Sequence, residues 1–182
     1  MSVAPSNAHA RASQGGATEI GKSPSESRLT LGQIMDDHDT NLLGTVHGGE
    51  ILKLVDSVAG VVAARHSEGP AVTAFMDEVA FLAPVRVGDV LHVDAVCTWA
   101  GRTSMEVSVT ARADRWDSSG PQTTVATAHL VMVAVDDARR PRPVPPLVPQ
   151  TEEEQRHYQQ AEIRRRHRLT LREDLRGTQS AA

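Results

Sequence analysis

The sequence predicts an α+β domain in which one long helix packs against an antiparallel sheet of about five strands. Three observations carry this. A helical stretch from about Gly48 to His66 is apolar on nearly every side. One extended run precedes it and four follow, and the last four are joined by short turn signals. Short connections pair consecutive strands antiparallel. Aromatic residues make up only 3% of the chain, so the core must be built from Val, Leu, Ile, Ala and Met.

Taken in order, residues 1–27 are small and polar and read as a disordered tail without a secretory signal, the alternative being a mitochondrial transit peptide, which Arg11 and the Ser and Ala residues favour and Glu19 opposes. A domain follows over residues 28–148. Its first strand is LTLGQIM, 29–35, ahead of the helix. The run 71–85 is extended and rich in β formers, and Gly88-Asp89 then marks a turn. In 90–100, Leu91, Val93, Ala95 and Cys97 fall on one side. In 104–116, Met105, Val107, Val109 and Ala111 do the same, and 123–136 is the last strand. From Asp137, the prolines of DARRPRPVPPLVP prevent a regular helix or central strand. Residues 149–176 read as a charged helix opened by a capping box, Thr151 with Glu154. With few apolar residues, this helix is expected to lie solvated on the surface. Residues 177–182 form a second tail.

Composition excludes several function classes. The chain has 182 residues, which suits one domain plus tails, and a formal net charge of −4. That balance offers no basic footprint for nucleic acid, and few aromatics disfavour base stacking. No apolar run is long enough to span a membrane. The single cysteine, Cys97, lies in an apolar run and reads as core. It forms no intramolecular disulfide, and no Cys/His spacing suggests zinc. A reduced, cytoplasmic setting follows.

The helix contains a carboxylate. Between Ile51 and Ala64 its only polar residues are Lys53, Asp56 and Ser57. A helix apolar nearly all round is buried nearly all round, and one sheet cannot wrap it. A partner subunit is therefore expected. Asp56 has two readings. It pairs with Lys53, or it is a sheltered carboxylate acting as base or nucleophile. The small residues Ala59, Gly60 and Ala63 beside it admit a close neighbour. At the helix start, His47-Gly48-Gly49 offers unsatisfied N–H groups at a positive dipole end, suited to a developing oxyanion. Gly48 and Asp56 are separated by about 12 Å of helix rise. That is too far for both to act on one carbonyl, so a neighbouring copy's Asp56 would complete the site.

Asn41-x-x-Gly44-Thr45-Val46-His47-Gly48-Gly49 with the later Asp56 resembles the hotdog-fold thioesterases. LVDSVAGVVAARH, the VTAFMDEVAFLAPVRVGDVL run, the GRTSMEV turn and the RPRPVPPLVPQTEEE tail are similar to the cytosolic acyl-coenzyme A hydrolase branch. The resemblance covers about residues 30–160. It implies a long central helix wrapped by a curved antiparallel sheet and hydrolysis of acyl-CoA in fatty acid metabolism. It also implies a homodimer as minimum unit, assembled to a tetramer or hexamer. Asp56 would be general base or nucleophile. Asn41 of the neighbouring protomer would orient water or polarise the thioester, and the Gly48 N–H would bind the oxyanion. Some close relatives carry Asn or Asp where this chain has Thr45, which is expected to cap the helix start. For the coenzyme A phosphates the candidates are Arg102, Thr103 and Ser104, then Arg86, then Arg139, Arg140 and Arg142. Gly49 would let substrate approach the backbone. No cofactor or metal is implied, because coenzyme A belongs to the substrate. The alternative is an acyl-CoA binding or sensing module without turnover. A hotdog dehydratase would need a paired histidine, and none is convincingly placed.

Overall fold

The computed structural model describes residues 21–118 and 120–179. A short turn of helix, α1 (Pro24–Ser27), precedes β1 (Leu29–Ile34). The long helix α2 (Gly48–Ser67) follows, then β2 (Ala71–Phe81), β3 (Asp89–Ala100), β4 (Ser104–Arg115), β5 (Thr123–Ala134) and the helix α3 (Glu152–Gln179). The strands form one curved antiparallel sheet in the order β1-β3-β4-β5-β2. The expected α+β architecture is therefore present, and β1 and β2 are its edges.

Alternation decides which face is inside. Leu91, Val93, Ala95 and Cys97 are buried, as are Met105, Val107, Val109 and Ala111 opposite them on β4. They meet α2 through Ile51, Val55, Val58, Ala59, Val62 and Ala63, a helical i, i+4, i+7 stripe. Among the described residues, nothing covers the opposite side of α2, with Val61 41% exposed and nothing within 4 Å of a Cβ built on Gly60. At Gly88, φ is +79°, and the tight turn lets its N–H donate to the Met35 carbonyl at 2.8 Å. Among the described residues, no helix is long and apolar enough to cross a membrane.

Three expectations are corrected. Residues 1–20 of the first tail lie outside the described residues, but 21–27 are structured. Pro24 opens α1, Ser23 and Glu26 form a capping box, and Lys22 bridges to Leu147. The charged helix continues to Gln179, and 180–182 lie outside the described residues. Nor is α3 merely a solvated helix. Glu106 points to the outer face of β4 yet is 1% exposed, because Arg164 (2.7 Å) and Arg168 (3.1 Å) of α3 close over it. Arg168 also reaches Asp77 of β2 at 2.7 Å. Arg165 stacks over Trp99 and Arg172 over Phe75. The Thr151–Glu154 capping box forms as expected, with Glu154 N–H donating to Thr151 Oγ1 at 3.1 Å.

The proline-rich segment is a strap. Arg142 donates to the Ser67 carbonyl at 2.7 Å, and Arg140 pairs with Asp136. Arg142 thereby serves the fold, while Arg140 stays exposed beside Asp136. Under the strap, buried His66 donates from Nε2 to the Pro145 carbonyl at 3.0 Å, which fixes the neutral tautomer. Burial lowers its pKa.

Candidate active site

The approach to α2 is built from local hydrogen bonds. A tight turn covers Asn41 to Gly44, with Gly44 at φ +73° and its N–H on the Asn41 carbonyl. Asn41 Oδ1 accepts from the Leu43 N–H at 2.8 Å, and its Nδ2 donates to Thr45 Oγ1 at 3.0 Å. Thr45 therefore does not cap α2. The cap is His47, whose Nδ1 accepts from the Gly49 N–H at 2.9 Å. Histidine is an uncommon cap, and it succeeds here because the His47 N–H is held by the Asp39 carbonyl at 2.7 Å.

This capping leaves one backbone donor over. Gly49 is satisfied by His47, and the Glu50 N–H by the His47 carbonyl. Among the described residues, the Gly48 N–H has no hydrogen-bond partner. Beside it opens a pocket of about 360 Å³ lined by Val46, Gly48, Ile51, Phe81, Leu82 and Pro84. The Phe81 ring stands so close that a Cβ on Gly48 would meet it at 3.1 Å. The site thus offers an unpaired N–H donor on a residue that lines an apolar recess, an arrangement that suits a carbonyl carrying an apolar group.

Asp56 is not paired with Lys53. Lys53 instead lies 3.6 Å from Glu50. The Asp56 carboxylate accepts from Thr73 Oγ1 at 2.5 Å. Thr73 sits on β2 and was not picked out in the sequence. Its partner is distant in sequence, and a threonine in a strand carries no signal of its own. Gly48 meets Phe81 at the end of β2 and Asp56 meets Thr73 near its start, so one chain does not bring the two together.

The phosphate candidates divide the same way. Arg102 and Thr103 form the β3–β4 turn and Ser104 opens β4, whose neighbour Met105 pairs with Met132, the residue that also pairs with Thr73. Arg86 lies just before β3, with its N–H on Asp89 Oδ2 at 2.8 Å. The β3 strand between them is roughly 40 Å long. Cys97 is buried, and burial pushes its thiol up to about 12, so it is no nucleophile.

The thioesterase superfamily model matches residues 43–115. The cytosolic acyl coenzyme A thioester hydrolase of Mus musculus is 37% identical over 141 residues, which cover 77% of this chain. The chain spans only 37% of that protein's length. Among solved structures, an acyl-CoA hydrolase from Staphylococcus aureus, in complex with butyryl coenzyme A, coenzyme A and coenzyme A disulfide, is 33% identical. It superimposes with a TM-score of 0.80 over 87% of this chain and 96% of that one. Structures of that hydrolase with an asparagine, an aspartate or a threonine replaced by alanine are similar. An apo-hexameric acyl-CoA thioesterase is 38% identical, with a TM-score of 0.79 over 82% of this chain and 96% of that one. Sheet order, helix placement and these likenesses agree, and the chain belongs to the hotdog-fold acyl-CoA thioesterase family.

Proposed function

We propose that the chain hydrolyses acyl-CoA to a free carboxylic acid and coenzyme A at a site shared by two copies. The observation that carries it is the unpartnered Gly48 N–H beside an apolar recess, with Asp56 farther along the same helix and held by Thr73 of β2. The replaced residues of the Staphylococcus aureus hydrolase support the choice. They are an asparagine, an aspartate and a threonine spaced by 15 and then 17 residues. Asn41, Asp56 and Thr73 have the same spacing here.

The geometry suggests how two copies cooperate. Edge strand β2 carries Thr73 near one end and Phe81 at the other. A two-fold axis through its middle brings the Thr73 end of one copy to the Phe81 end of the next. The partner's Asp56 then faces Gly48, and the partner's Arg102, Thr103 and Ser104 approach Arg86. The thioester oxygen rests on the Gly48 N–H, which stabilises its developing charge. Asp56 takes a proton from water as the water oxygen bonds to the carbonyl carbon, or attacks that carbon itself to give a mixed anhydride that water then hydrolyses to the free acid and the Asp56 carboxylate. The C–S bond breaks, and the thiolate leaves and is protonated. Thr73 holds the carboxylate. Asn41 has one Nδ2 hydrogen on Thr45 and a second for the carbonyl or the water. Coenzyme A enters as part of the substrate, and the setting is cytoplasmic.

Thiol release from a panel of acyl-CoA chain lengths tests this. Asp56→Ala and Asn41→Ala should each be inactive alone. Mixed after subunit exchange, half the dimers are mixed and each holds one intact site, so about a quarter of wild-type activity returns. Full activity in Asp56→Ala would sink the hydrolase assignment. No recovery on mixing, with exchange confirmed, would sink the shared site.

A further inference from the structure

Among the described residues, nothing supports the outer end of α3. Its ion pairs to the sheet end at Arg168, and its last contact with an aromatic ring is Arg172 on Phe75. From Leu169 to Thr178 every residue is exposed, including Leu171 at 59% and Leu175 at 55%. The helix passes β4 at Arg164 and edge strand β2 at Arg168 and Arg172. Glu173 to Gln179 then continue past that edge for about 10 Å, the width of two strands. Helical turns with no tertiary packing are marginal in water, so this end calls for a covering surface.

Beside it lies a groove of about 820 Å³ between β2 and α3, lined by Phe75, Ile163, Arg166, His167, Leu171 and Asp174. The α3 residues recur at helical spacing and form one stripe. After Ile163 that stripe is basic at Arg166 and His167, apolar at Leu171 and acidic at Asp174, and Asp77 and Glu78 of β2 also line the groove. Such polarity matches itself when reversed, as a two-fold interface requires.

We infer that this groove is an interface for a second copy, whose α3 lies antiparallel in it. Asp174 then faces the partner's Arg166 and the partner's His167, with the leucines packed between. The inference rests on the two-copy site proposed above, because it continues the β2 edge that such a site brings together. The α3 helix becomes a strap across the dimer, fixed to its own sheet by Glu106 and closing on its neighbour.

Charge reversal tests it, with sedimentation equilibrium and native mass spectrometry as readouts. Asp174→Arg and Arg166→Asp should each weaken dimerisation by at least about tenfold through like-charge contacts. The double variant D174R/R166D should return to within about threefold of wild type, which a merely structural effect would not do. All these positions are exposed, so the fold should survive, and circular dichroism verifies it. Single variants that dimerise like wild type overturn the strap while leaving the shared site standing. A double variant as weak as the singles overturns it as well. A fully active wild-type chain that is monomeric at every concentration overturns both.

Discussion

Replacing Thr73 by valine tests the Asp56 assignment at its least visible point. Valine keeps the shape and β-branching of threonine but removes the hydroxyl that donates to Asp56 at 2.5 Å. A hydrogen bond to a charged acceptor contributes about 1.5–3 kcal/mol. Thr73 Oγ1 also lies 3.4 Å from the Met132 sulfur, a weak acceptor, so the carboxylate is its main partner. If the bond holds Asp56 in its reactive position, its loss should lower kcat/KM by about ten- to 150-fold. The loss should fall on kcat more than KM, because the bond positions the reacting group and not the acyl chain. The assay is continuous thiol release from acyl-CoA, with unfolding measured in parallel. Thr73→Ser restores a donor and should recover most of the rate. Thr73→Val at wild-type rate, or Thr73→Ser as slow as Thr73→Val, would refute the reasoning.

Three further outcomes are expected. Glu106→Gln leaves Arg164 without its buried counter-charge and Arg168 with Asp77 alone, and should cost about 3 kcal/mol of stability by denaturant unfolding; hydrogen exchange should rise first in α3. Burial lowers the His66 pKa, so the unfolded chain takes up this proton first as pH falls. Its stabilising contribution is whole above the unfolded value near 6.5 and declines below it by up to about 1.4 kcal/mol per pH unit, a slope that His66→Gln should flatten. Gly60→Ala should stabilise an isolated chain by up to about 1 kcal/mol, because the added methyl meets nothing within 4 Å; a weaker dimer at the same time would place the partner against that face.

Much of this fold is legible in the sequence because strands repeat every two residues. The pattern Leu91, Val93, Ala95, Cys97 specifies one face of β3, and all four are buried there. Periodicity cannot say what covers the other face. Glu106 falls between Met105 and Val107 and reads as solvent-facing. It is buried by a helix more than 50 residues later, and only the arginines at i and i+4 on that helix hint at it. The same limit explains the helix cap. Thr45 looks like a cap by residue type, but its hydroxyl is taken by Asn41 in a turn whose closure depends on backbone geometry. Thr73 was missed because the Asp56–Thr73 contact depends on how β2 lies against α2, and residue spacing does not encode that angle.

The uncovered face of α2 links these findings. An apolar helix implied more burial than one sheet can supply, and the structure locates the shortfall at Gly60 and Val61. One turn earlier on the helix stands Asp56, so the face lacking a cover is also the face beside the carboxylate. Val61 gains from apolar contact, and the glycine favours close backbone approach. The second copy of the proposed dimer would meet both needs and would bring the partner's Gly48 donor to the carboxylate. Burial and chemistry thus ask for the same partner. The contacts that assemble the pair would also assemble the site, which ties activity to protein concentration near the dimer dissociation constant.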